Sequence, residues 1–412
     1  MFADNFLRQG AAYRPDDTDM YGKSLREISF SQILINEGRV SGCPEKVSEE
    51  LEELRGLEDN GKTEQAGSVL KKAVEKLSGG TNTVLFDAGG LPSVMVIVPA
   101  FTGADMPEGI QLQGVHPAFR LGGKILRRIY VSKYLNCLAD GRAVSLPMSE
   151  PAGIPCFDDA VKSVKGKGAG WMPMPVSLRA ALSLQCLKNG REVTGNTDRG
   201  RDYYHHEETG IRTQSGSVLT GSGPVSWTHN GRPDGIWDLV GNLNEWDSGF
   251  RLADGELQLM DIEAMTDPAC DYSRDSALWY ALDPEGRKAL PGTPETLHFT
   301  GGDGWVRLTT GIPEPATGNC AFSNVGAEPG LKVPEILKLA GLMPPGDGLS
   351  ERLGWRWIRT EGEAMPLSGG AFLITYHSGL FFMGVTKPRD AAYRLSGVRS
   401  VFISAEDAQE EE

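Results

Sequence analysis

Glycine sets the first limit on this chain. It supplies 52 of the 412 residues, and proline another 25. A backbone punctuated this often keeps turning, so short strands and irregular connections are expected in place of long helices. The length admits two or three domains, or one large domain with insertions. An apolar fraction of 40% and a charged fraction of 23% are ordinary for a folded chain with a sizeable core. No run of 18 apolar residues offers a membrane span, so no membrane insertion is expected. The opening MFADNFLRQGAAYRPDD lacks the apolar core of a signal peptide.

The formal charge of −14 argues against nucleic acid as a ligand, because an acidic surface repels phosphate. The acidic tail, residues 406–412, is expected to be a solvated terminus. The cysteines at 43, 137, 156, 186, 270 and 320 form no C-x-x-C pair and no zinc spacing, and read as scattered core thiols.

Residues 44–78 predict two helices with a turn at Asn60-Gly61. Leu51, Leu54 and Leu57 mark the first apolar stripe; Val69, Leu70, Val74 and Leu77 mark the second. Gly79-Gly80 is the stop signal. Residues 1–79 are therefore expected to form an N-terminal region whose helical hairpin serves attachment or oligomerisation. Beyond Gly80 the stretch TNTVLFDAGGLPSVMVIVPAF predicts a strand hairpin turning at Ala88-Gly89-Gly90. Residues 157–168 predict a helix, and MPVSLRAALSLQCLKNG a second, capped by Ser177 and ended by Gly190. Residues 255–365, with a helix near 333–341, read as an insertion decorating one core.

The stretch GGAFLITYHSGLFFMGV, residues 369–385, predicts a pair of strands. In LFFMGVTK, Phe381, Met383 and Val385 share one face, and Phe382, Gly384 and Thr386 the other. The first face is uniformly apolar and suits a core. The second is mixed and suits an exposed binding surface; burial of both faces is the alternative.

Catalytic signatures are sparse. There is no G-x-S-x-G elbow, no phosphate-binding loop, and no G-x-G-x-x-G after a strand. GSGP at 221–224 reads as a turn. Asp16-Asp17 and Asp158-Asp159 read as solvated charges or helix caps. His205-His206 are adjacent, so on a strand they would face opposite ways.

Three segments, taken in order, carry a resemblance. They are GIWDLVGNLNEW (Gly235 to Trp246), LSGGAF (Leu367 to Phe372) and PRDAAYRLSGVRSVFIS (Pro388 to Ser404). Together they resemble the formylglycine-generating-enzyme-like, or sulfatase-modifying-factor, branch of the C-type lectin fold. With GREVTGNTDRGRDYYHHEE and the C-terminal block, the chain is similar to the variable proteins of diversity-generating retroelements in phage and prophage. The likeness spans about residues 80–405, with Gly241, Asn242, Glu245, Trp246, Gly369, Gly370 and Arg399 as its signature positions.

The resemblance implies an α+β chain of C-type lectin fold with a variable region at about 369–400. Its expected ligand-binding face comprises Leu373, Ile374, Thr375, Tyr376, His377, Phe382, Thr386, Ala391, Ala392, Tyr393, Arg394 and Leu395. Adenine-directed variation of asparagine codons excludes Lys, Gln, Glu, Met and Trp; residues 373–377 and 390–396 all fall in the permitted set, and Lys387 does not. The implied function is recognition of a protein or glycan receptor by a phage or prophage tail-tip adhesin, found on the virion and commonly trimeric. A variable binding protein on a bacterial surface and a structural virion protein are the alternatives. Glu245, three residues after Asn242, is read first as a cap on backbone amides; Ca²⁺ at Asn242 and Glu245, as in some members, is the alternative. The oxidases of the fold hold copper through two cysteines. Ile374 and Gly379 stand at the matching positions, and no Cys follows Cys320. A second branch holds iron through three histidines. The six here, at 116, 205, 206, 229, 298 and 377, lack H-x-H and H-x-x-x-H spacing. Binding without catalysis is the expectation.

Overall fold

The computed structural model describes residues 28–410. Helix α1, Phe30–Val40, is capped by the Ser29 hydroxyl, which accepts from Gln32 N. The expected hairpin follows as α2, Ser48–Asp59, and α3, Thr63–Ser78. Gly79 adopts φ +66°, and Gly80 N–H reaches back 2.8 Å to the Glu75 carbonyl, closing the last turn. Leu54, Leu70 and Val74 share one core with Val84, Val94, Tyr134, Trp227 and Trp237. The three helices are therefore packed onto the body and buried against it.

Strands β1, Asn82–Phe86, and β2, Pro92–Pro99, form the expected hairpin. The Asp87 carboxylate closes its turn by accepting from Gly89 N and Leu91 N. With β3, Arg128–Ser132, β4, Trp171–Pro173, and the late strand Ser400–Phe402, they make a five-stranded sheet. The late strand lies between β3 and β4, so the two ends of this region close on each other.

Helix α4 spans Phe157–Lys165 and α5 spans Val176–Lys188. All but the last turn of α5 is buried, its polar Arg179 ion-paired inside. Ser177 is not its cap. Pro175 takes that position, Val176 N–H bonds to the Ser248 carbonyl, and Ser177 sits buried inside the first turn. A tertiary hydrogen bond, which local sequence does not reveal, fixes where this helix starts.

The second sheet holds most of the remaining chain. Its strands include β5, Asn244–Trp246; β6, Phe250–Ala253; β7, Glu256–Met260; β8, His298–Gly302; and β9, Trp305–Thr309. They continue with β10, Thr317–Ala321; β11, Trp355–Arg359; β12, Glu363–Ser368; and β13, Met383–Lys387. The order along the sheet is β10-β11-β13-β12-β6-β7-β8-β9, with β5 paired to β12. The stretch 255–365 thus builds the sheet instead of decorating it: β11 lies parallel to β13, with Ile358 opposite Val385. The architecture is mixed α and β, and mostly sheet.

Two expectations for the C-terminal block are corrected. Residues 371–378 are not a strand. Gly369 and Gly370, both near φ +85°, turn the chain out of β12. A turn at 372–374 and a 3-10 turn, Thr375–His377, follow. The strand β13 does form, but both of its faces are buried, Phe382 and Thr386 included. It is an interior strand between β11 and β12. Phe381 stacks on Phe322 at 4.6 Å, and Phe382 meets Trp357 edge-on at 5.6 Å. The acidic tail is also tied down. Asp407 is buried, 2.7 Å from Arg128 Nε and 3.1 Å from the Tyr130 hydroxyl, and Ala408–Gln409 pairs with Lys124–Leu126. Glu411, Glu412, Asp16 and Asp17 lie outside the described residues.

Candidate functional site

The signature GNLNEW acts as a clamp on loops. Gly241, at φ +78°, donates to the Gly369 carbonyl, and a Cβ there would lie 2.5 Å from the Asn196 carbonyl oxygen. Asn242, at φ +62°, is a residue that tolerates the left-handed region. Its N–H donates to Asn196 O, and its carbonyl accepts from Phe372 N. Its Oδ1 accepts from Val218 N at 2.9 Å, and its Nδ2 donates to Val218 O at 3.1 Å. Two residues thereby pin three loops, at 196–200, 216–218 and 369–372.

Glu245 pairs with two arginines, in place of the backbone amides or Ca²⁺ that its sequence context offered. Its Oε1 lies 2.8 Å from Arg399 Nη2, and its Oε2 2.9 Å from Arg399 Nε. Arg179 Nη2 also bonds to Oε2, and Arg179 Nε lies 2.7 Å from Asp247 Oδ2. All four side chains are buried. Burial alone would raise the Glu245 pKa, but Arg179 and Arg399 outweigh it and hold the carboxyl below its usual range. Burial pushes Asp247 up to about 6 against the pull of Arg179. A Ca²⁺ ion at Glu245 would have to displace two guanidiniums, and Asn242 Oδ1 is already taken, so these residues do not fit Ca²⁺. Among the described residues no cluster of His, Cys, Asp or Glu is arranged to hold a metal. At Gly379 an added Cβ would lie 2.4 Å from the Leu353 carbonyl carbon, so the backbone there has no room for a cysteine.

Above this clamp lies an exposed aromatic surface. Tyr203, Tyr204 and Tyr376 are 37%, 44% and 39% exposed. The Tyr203 ring is 5.2 Å from Tyr204 and 5.8 Å from Tyr376. Tyr376 lies 5.9 Å from Trp355, and His206 extends the patch beside Tyr203 at 6.5 Å. The Arg352 guanidinium sits 4.5 Å over Tyr204, held 3.0 Å from Glu192 Oε1.

The tyrosines stand on braced backbone. Asp202 Oδ1 accepts from Tyr204 N and His205 N. Thr197 Oγ1 accepts from Tyr203 N, and Thr197 O accepts from Thr375 N. Arg199 N donates to Phe372 O, which joins the two loops a second time. Thr375 holds φ +56°, a strained value for a β-branched residue. Such an outlier persists only where its surroundings over-determine it, and here it aims Tyr376 outward.

His377 is buried beneath the patch, 4.4 Å from Trp355 and 5.1 Å from Trp357. Burial pushes its pKa down to about 4, although the Ile374 carbonyl 3.1 Å from Nδ1 favours the proton. A lowered pKa stabilises the fold above the ordinary histidine value, and the contribution is lost as pH falls through about 4. The His377 ring resonances in an NMR titration are expected to stay those of the neutral form down to about pH 5. A midpoint above 6 would show a solvated ring.

No protein family's model matches this chain, and no curated protein matches it. Among solved structures it is similar to the Major Tropism Determinant P3c variant and the Major Tropism Determinant U1 variant. Each likeness has 12% identity and a TM-score of 0.28, over 78% of this chain and 71% of that one. At that score neither a shared fold nor a shared role follows.

The twelve expected binding residues divide by exposure. Tyr376 and Arg394 are exposed; Leu373, Thr375, Ala391, Ala392 and Leu395 are half-buried. Leu373 and Leu395 pack on the same small cluster, Leu135, Leu243 and Phe372. Ile374, His377, Phe382, Thr386 and Tyr393 are buried, which corrects the expectation that they face outward. Their ring and apolar surfaces fill space beneath the loops. Tyr203, Tyr204, His206, Arg352 and Trp355 were absent from the expected face. The run DYYHHEE was the available signal: two tyrosines in a polar loop have few reasons to be there unless they touch something.

Proposed function

We propose that this protein is a receptor-binding protein that presents the surface around Tyr203, Tyr204 and Tyr376 to a protein or glycan on a target cell. The observation that carries the reading is three exposed tyrosines in ring contact on loops locked by buried hydrogen bonds. Tyrosine offers large area with few rotamers to freeze, and a braced loop has little ordering cost left at binding. Arg352, stacked and ion-paired at the edge, adds a directional donor.

On this reading the chain is a C-type-lectin-fold adhesin of a phage or prophage tail tip, diversified by a retroelement. Variation is then confined to positions that are not fully buried: Leu373, Thr375, Tyr376, Ala391, Ala392, Arg394 and Leu395. A trimer is the expected assembly. Two tests address it. Purified protein should bind target cells saturably, with binding lost after protease or periodate treatment according to the receptor. The genomic locus should hold a reverse transcriptase and a template repeat matching the codons for about 369–400. No saturable binding to any host would refute recognition. A locus without the repeat would refute diversification alone.

A further inference from the structure

A second site lies away from the aromatic surface. A cavity of about 150 Å³ opens where α1, α3 and the start of β1 meet the loop at 232–234. Its charged lining is balanced. Lys133 Nζ lies 2.6 Å from Glu37 Oε2, and Arg232 Nη2 lies 2.6 Å from Asp234 Oδ2. A cationic guest would meet Lys133 and Arg232; an anionic guest would meet Glu37 and Asp234. The lining favours a neutral molecule.

Two buried groups in this wall have unmet hydrogen-bonding capacity. Asn82 is fully buried; its Nδ2 donates to the Asp234 carbonyl at 2.7 Å, while its Oδ1 accepts from none of the described residues. The buried Lys133 ammonium carries three donors, and its hydrogen-bond acceptor among the described residues is Glu37 alone. A buried polar group without a partner points to something that supplies one. Val74 and Leu77 give the same cavity an apolar wall. An acceptor, a donor and an apolar wall together suit a molecule with hydroxyls along one edge and C–H groups along the other. A cavity of this volume holds a six-membered ring.

We propose that this cavity binds a small neutral polyol or sugar ring. One hydroxyl donates to Asn82 Oδ1, another accepts from Lys133 Nζ, and the C–H face rests on Val74 and Leu77. Cys43, a half-buried free thiol in the lining, supplies the readout. Alkylation of Cys43 in the native protein by iodoacetamide is followed by peptide mass spectrometry. Glucose, galactose and glycerol are compared with acetate and ethylammonium. At least one neutral polyol is expected to slow Cys43 modification several-fold and saturably, with Cys156 unchanged. Protection by the charged probes only, or by none, overturns the proposal. Asn82→Ala is expected to weaken protection at least tenfold, and a folded variant that binds as before overturns the assigned contacts. If that variant does not fold, calorimetric titration of the intact protein with the same panel decides: saturable heat from a neutral polyol supports the site, and its absence overturns it.

Discussion

Glu245→Ala is expected to destabilise the fold by about 3–5 kcal/mol, the usual cost of removing one partner from a buried ion pair. The reason lies in what the substitution leaves behind. Arg399 would keep its bonds to the Ser132 and Trp237 carbonyls, at 2.9 and 2.8 Å, but lose its ion-pair partner. Arg179 would retain Asp247, whose own pKa burial pushes to about 6. Arg399 would be left buried with no ion-pair partner, near only Asp238, whose carboxyl burial pushes up to about 7. The network also ties distant parts of the chain together, since Arg179 lies on α5, Glu245 on β5, and Arg399 directly before the last strand of the first sheet. Urea denaturation with a two-state fit measures the effect. A loss under about 1 kcal/mol, in the range of solvated surface pairs, would show that water reaches these charges.

Tyr376→Ala is expected to weaken receptor binding by about 2 kcal/mol or more, roughly 30-fold, as for an aromatic residue that anchors an interface. The same change should cost little stability, because Tyr376 is 39% exposed and only its inner ring face, 3.9 Å from His377, covers a buried group. Tyr203→Ala should behave alike, since the two rings support each other. Tyr393→Ala is the contrast. That ring is 2% exposed, and truncating it should cost about 3–5 kcal/mol in stability. Cell-binding titrations beside thermal melts separate the cases. Loss of binding in step with loss of stability for Tyr376→Ala would mean that this residue is part of the core, and would remove the basis for the proposed surface.

Short-range features were legible in the sequence. The leucine spacing of α2 and α3, their glycine stop, and the β1–β2 hairpin are set by residues within a few positions of one another. The glycine and asparagine of GNLNEW likewise signal a tight turn by their own backbone preferences. What failed was the inference that Ile374, His377, Phe382, Thr386 and Tyr393 face outward. Alternation in LFFMGVTK fixes which residues share a face of β13. It does not say that β11 and β12 flank the strand or that both faces are covered. LITYH has strand-forming residues, yet two left-handed glycines and a strained Thr375 turn it into a loop. Glu245 looks the same in sequence whether it meets a cation, a backbone amide or two arginines.

The composition of the proposed binding surface belongs mostly to this second kind. Tyr376, Trp355 with Arg352, and Tyr203 with Tyr204 lie on three separate stretches, and only the folded chain brings their rings within 6 Å. The sequence by itself determined a turn-rich mixed chain, its helical hairpin, its first strand hairpin and the residues able to make tight turns, because local preferences act over a few residues. Tertiary structure alone decided burial, charge partners and the composition of the surface, because those depend on which distant segments pack together.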